Sequence, residues 1–94
     1  MMYPFLTLDD NTEIVHSEMQ ENGTVRVYIE KPVVGGFHNA WCILPEYRWE
    51  DICGFSNEEI NRFQGIIEST AHLTLRFSQE GGFENAANLY DRLI

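Results

Sequence analysis

His38 and Cys42 are the first residues of this chain whose types could do chemistry together, because a thiol becomes a nucleophile when a nearby base or positive charge draws off its proton. Their spacing argues against it. On one strand, four residues at about 3.3 Å each place them roughly 13 Å apart, beyond hydrogen-bond reach. A buried structural cysteine is the better reading of Cys42. The chain has two cysteines, Cys42 and Cys53, and no CxxC pair. Neither a disulfide framework nor a zinc site is indicated.

His16, His38 and His72 could in principle meet carboxylates around a metal. None of them lies in an HxH, HxxxH or HExxH arrangement that would preset ligands on one face. Glu50-Asp51 and Glu58-Glu59 could be read as acid and base, but adjacent side chains point in different directions. Near a helix start their charge has a simpler use, in the favourable interaction of carboxylates with the helix dipole. Gly35-Gly36 and Gly81-Gly82 lack both the GxGxxG spacing and a GK[ST] ending, so they read as turn and cap glycines and not as phosphate loops. The expectation is a chain with no catalytic residues, no metal, no cofactor and no small-molecule ligand.

Fifteen acidic against six basic residues give a formal net charge of −9 among 94 residues. That charge repels phosphate backbones, which excludes direct nucleic-acid binding, yet it could draw a basic partner or imitate nucleic acid at another protein's site. Hydrophobic residues make up 44% and aromatics 13% of the chain, enough for one core and one domain over 1–94. No apolar run approaches the roughly 20 residues that cross a bilayer, and Met1-Met2-Tyr3-Pro4 lacks the basic and apolar regions of a signal peptide. A cytoplasmic, membrane-free setting is expected.

The elements that position these residues follow from punctuation and periodicity. The pattern predicts an α+β domain with a four-stranded antiparallel meander, at about 3–8, 12–20, 24–31 and 37–44. One long helix, at about 57–80, packs on one face, and a short helical segment carrying Ala86, Leu89, Tyr90 and Leu93 ends the chain. Ser56-Asn57-Glu58-Glu59 is a capping box, with Phe55 placed to staple onto Ile60. Glu58 and Arg62 are spaced for a helical charge pair.

Ile60, Phe63, Ile66, Ile67, Thr70, Leu73 and Phe77 recur at helical period. Beyond Ser69 the alternation of Leu73, Leu75 and Phe77 also fits a strand, although continued helix is favoured. Pro32 is expected to end the third strand. Trp49, Ile52 and Phe55 have helical spacing, which suggests one helical turn folded onto the core.

Glu21-Asn22-Gly23 is a hairpin turn that admits two registers. A two-residue turn would mix charge into the apolar face. A type I turn with Gly23 in the left-handed bulge position sets Val15 near Ile29 and Ser17 near Val27, and is preferred. It leaves Ile14, His16 and Glu18 facing away from the core beside Arg26, Tyr28 and Glu30.

The opening at Tyr3-Pro4 with a following meander resembles small antitoxin domains of the HicB type, which begin with a strand and carry a helix against a sheet. The resemblance covers a few residues and implies that arrangement alone. The chain as a whole is similar to small bacterial and mobile-element proteins.

The function expected is a small acidic, non-enzymatic protein-interaction domain, self-associating as a homodimer. An alternative is an acidic inhibitor that occupies a nucleic-acid site on a host or phage-defence protein. The interface candidates are Phe5, Ile14, Tyr28, Leu73, Leu75 and Phe77. A helix over 57–80 would be about 36 Å long at 1.5 Å per residue, against about 20 Å for a strand of typical length. The overhanging end would need cover from a second copy.

Overall fold

The computed structural model describes residues 2–79. Five strands precede one helix: β1 Met2–Thr7, β2 Glu13–Ser17, β3 Val25–Val33, β4 Gly36–Leu44, β5 Arg48–Cys53 and α1 Asn57–Gln79. Each strand pairs antiparallel with the next, so sheet order equals chain order. The α+β class and the meander hold, with five strands in place of four. The expected C-terminal helical segment and the Gly81-Gly82 cap lie outside the described residues. No helix among the described residues is long and apolar enough to cross a membrane.

The fifth strand corrects the helical turn expected around Trp49. Cys42 faces Trp49 and Trp41 faces Glu50, after which the register shifts and Asn39 faces Cys53. The shift leaves an extra residue in β5, and Asp51 takes a left-handed φ of 52°. A bulge of this kind interrupts the two-residue alternation of a strand. The spacing of Trp49, Ile52 and Phe55 therefore imitates a helix. Phe55 is buried in the core, but Ile52 is 47% exposed and does not fold inward.

The β2–β3 hairpin has the expected turn and an unexpected register. Gly23, at φ 81°, donates to the Gln20 carbonyl, and Gln20 N–H donates to Thr24, which closes the left-handed glycine bulge. A second irregularity follows within Ser17–Met19. The Ser17 hydroxyl takes the Arg26 N–H at 2.9 Å in place of a ladder carbonyl. The pairing slips by one, so that His16 faces Val27 and Ile14 faces Ile29. One residue of slip exchanges the two faces of a strand. Ile14 and His16 therefore point into the core, and Val15 turns outward beside Tyr28.

Pro32 does not end β3, which continues to Val33 with Pro32 opposite Phe37. It is tolerated because β2 covers β3 only as far as Glu30. Pro32 thus lies on a locally free edge, where no partner needs its N–H.

The core lies between the helix and one sheet face. Ile14, Val25, Val27, Ile29, Ala40, Cys42 and Leu44 meet Phe55, Ile60, Phe63 and Ile67. Alternation in β3 buries Val25, Val27 and Ile29, while Arg26 is exposed and Tyr28 half-buried. The capping box forms in both directions: Ser56 N–H donates to the Glu59 carboxylate at 3.0 Å and Glu59 N–H to the Ser56 hydroxyl at 3.2 Å. Arg62 reaches Asp10 at 3.8 Å instead of Glu58, and Asp10 also meets Lys31 at 3.5 Å.

α1 is helix throughout Asn57–Gln79, so the stretch 71–78 is helix and not strand. It crosses the sheet diagonally. Its first half touches the β5 side, where Trp49 Nε1 donates to Gln64 Oε1 at 3.0 Å. Its second half reaches β1 and β2, where Phe77 lies 6.1 Å from the Phe5 ring and Ser78 bonds His16. Thr74, Phe77 and Ser78 are all buried. Through Gln79 the helix finds its cover within its own chain, and the argument for a partner from an overhanging stripe falls away. The buried stripe of this half includes Thr74 and Ser78, whose hydroxyls are satisfied by carbonyls four residues back. Small side chains there admit the aromatic and imidazole rings of β1 and β2.

Candidate functional site

The residues considered first for chemistry are not brought together. Cys42 is fully buried, and burial pushes its thiol up to about 12, so it is not a ready nucleophile at neutral pH. His38 stands over Phe55 with ring centroids 5.7 Å apart, opposite Lys31, whereas Cys42 pairs with Val27 and Trp49. His16 lies between β1 and α1, and His72 is exposed on the helix. Among the described residues, no group of three or more His, Cys, Asp or Glu side chains gathers to hold a metal. A slit beside His16, lined by residues such as Phe5, Leu6, Val27 and Ile66, has no room for a water molecule.

Among the described residues, no element covers the sheet face opposite the helix. β3 and β4 alternate strictly, so burying Val27 and Ile29 with Ala40 and Cys42 forces Arg26, Tyr28 and Glu30 outward with Asn39, Trp41 and Ile43. Cross-strand pairing then builds a cluster. Tyr28 faces Trp41 with centroids 4.7 Å apart, and the Arg26 guanidinium lies 4.5 Å from the Trp41 ring. That cation-over-ring geometry is attractive because the ring face is electron-rich.

Tyr28 donates to the Glu30 carboxylate at 2.9 Å. Burial first, then this bond and the Glu30 charge, push the phenol above its ordinary value. Ile43 is 5% exposed although it lies on the uncovered face. Its cross-strand neighbours are Arg26 and Arg48, whose aliphatic stems can cover apolar surface while their heads stay wet. Arg48 is held by Glu50 at 2.8 Å and Glu46 at 3.4 Å. Arg26 forms no ion pair among the described residues.

Of the six interface candidates, Tyr28 alone lies on this face. Ile14 is 2% and Phe77 4% exposed, and Phe5 and Leu75 pack against the core. Leu73 is half-buried on the helix. Trp41 and Arg26 were missed as site residues. The signal for them was present in β4, where small Ala40 and Cys42 mark the face that a helix approaches and so assign Trp41 to the other.

Compared with family models, curated proteins and solved structures, the chain matches none.

Proposed function

We propose that this chain is a small acidic, non-enzymatic protein-interaction domain whose docking surface is the uncovered sheet face centred on Trp41. One observation carries the reading: Trp41, Tyr28 and Arg26 form a contiguous cluster on the face that α1 leaves open. Trp, Tyr and Arg are the residues that dominate the energetics of protein interfaces, because each offers a large contact area with a directional polar tip. The two cysteines are free, which suits a reducing, cytoplasmic setting.

Recovery of the tagged full chain from its native cells tests the reading. Trp41→Ala is expected to lose the associated protein, including untagged copies of the chain itself, while His72→Ala retains it. An associated set that survives Trp41→Ala unchanged would overturn the proposal.

A further inference from the structure

We propose that the occupant of the uncovered face is a second copy of this chain, packed face to face about a two-fold axis that crosses the sheet at the level of Tyr28. This rests on the interaction-domain reading and names its partner. The argument begins with charge. The chain carries −9 overall, and two such molecules repel each other except where the surface is locally balanced. The open face comes nearer to balance than the chain as a whole, with the two cations Arg26 and Arg48 beside the three carboxylates Glu13, Glu30 and Glu50.

The balance is polar along β3. Glu13 and Glu30 stand directly opposite each other across β2 and β3, and like charges in that position repel. No cation among the described residues pairs with either. At the other end, Arg26 has no carboxylate partner among the described residues. Tyr28 is midway between Arg26 and Glu30 in the strand, and four residues span about 13 Å. An in-plane two-fold axis at Tyr28 runs each strand antiparallel over its counterpart. Arg26 of each copy then falls over Glu30 and Glu13 of the other, which answers both unpaired ends at once. An isologous contact requires this self-complementarity.

The available area is consistent. Five strands about 4.8 Å apart, the longest of nine residues at about 3.3 Å each, give a face of roughly 20 by 30 Å. Stacking two of them removes on the order of 1,200 Å² from water, the lower end of the range for specific interfaces. The sheet edges are poorer routes to a dimer. β1 carries Pro4 and a register shift between Pro4 and Leu6, and β5 carries its own shift at Asp51. Such features discourage strand addition.

Sedimentation of the full chain across the micromolar range tests the proposal. The wild type is expected to show a monomer–dimer equilibrium. Trp41→Ala and Arg26→Glu should each weaken it by at least about tenfold, and the exchange of charges in Arg26→Glu/Glu30→Arg should restore it. That rescue separates a lost contact from a lost fold. A dimer indifferent to all of these variants would overturn the proposal. A monomer at every concentration would also overturn it, and the cell-recovery experiment then decides the broader reading. Loss of a different protein with Trp41→Ala would leave the interaction domain standing, whereas no effect would remove both.

Discussion

His16 and Ser78 meet across 62 positions of sequence, with Nδ1 of the imidazole 3.0 Å from the serine hydroxyl. The same Nδ1 lies 2.9 Å from the Ser17 carbonyl, and Ser78 gives its own proton to Thr74 at 2.7 Å. The network therefore assigns the proton to Nδ1. Nε2 is left buried without a partner, on a residue that is fully buried. The contact pins the end of α1 to the strand that the hairpin slip turned inward.

Protonation of His16 would add a charge and a second N–H at the buried, partnerless Nε2, which destabilises the folded state. Burial lowers its pKa from 6.5, outweighing the Ser17 carbonyl, which raises it. As pH falls through 6.5 the unfolded chain takes up this proton first, so the contribution to stability is present above that value and is lost below it. Urea midpoints should fall between pH 7.5 and pH 5.5 in the wild type, and fall less in His16→Leu. Parallel behaviour of the two proteins would show that His16 is not the group responsible.

The capping box predicts a cost at a single hydroxyl. Ser56→Ala removes the acceptor for Glu59 N–H and should destabilise the domain by about 1 kcal/mol. The Glu59 carboxyl is held below its ordinary value mainly by its bond from the Ser56 backbone. Its contribution should therefore persist above the usual carboxylate pKa and fade as pH drops beneath it. Chemical denaturation of Ser56→Ala at neutral pH checks the first statement, and a full wild-type stability would contradict it.

Two glycines should respond to alanine with opposite signs. Gly54 has a φ of 88°, and a Cβ there would be driven into the His38 ring. Gly54→Ala should cost on the order of 2 kcal/mol, combining left-handed strain with the clash. Gly65 lies inside α1 with open space where a Cβ would stand. Gly65→Ala should stabilise by up to about 1 kcal/mol through helix propensity. Thermal unfolding of the pair reads both, and equal shifts would count against this placement of the two residues.

Much of this fold was legible because its signals are local. Ser56 and Glu59 announced the helix start, and Gly23 announced the hairpin turn. What escaped depends on irregularities that leave no local trace. Nothing about Ser17 or Met19 reveals the second slip, since a serine hydroxyl replacing a ladder carbonyl is a tertiary choice. That slip decided whether Ile14 and His16 or Val15 faced the core. Asp51 hid β5 by breaking the alternation on which strands are recognised. In distal α1 Phe77 belongs to the legible stripe, but Thr74 and Ser78 do not register as core, because small hydroxyl residues read as polar although their hydroxyls are satisfied within the helix. The site was half visible: the sequence pattern puts Tyr28 on the outer face, whereas its partner Trp41 has to be assigned from the small Ala40 and Cys42 on the opposite side of β4.

The most direct test of the account places a photo-crosslinking phenylalanine analogue at Tyr28 in one version of the chain and at His72 in another, both expressed in the native cell. The uncovered face predicts a light-dependent covalent adduct from position 28 and none from position 72. Adducts from position 72 with none from position 28 would contradict it.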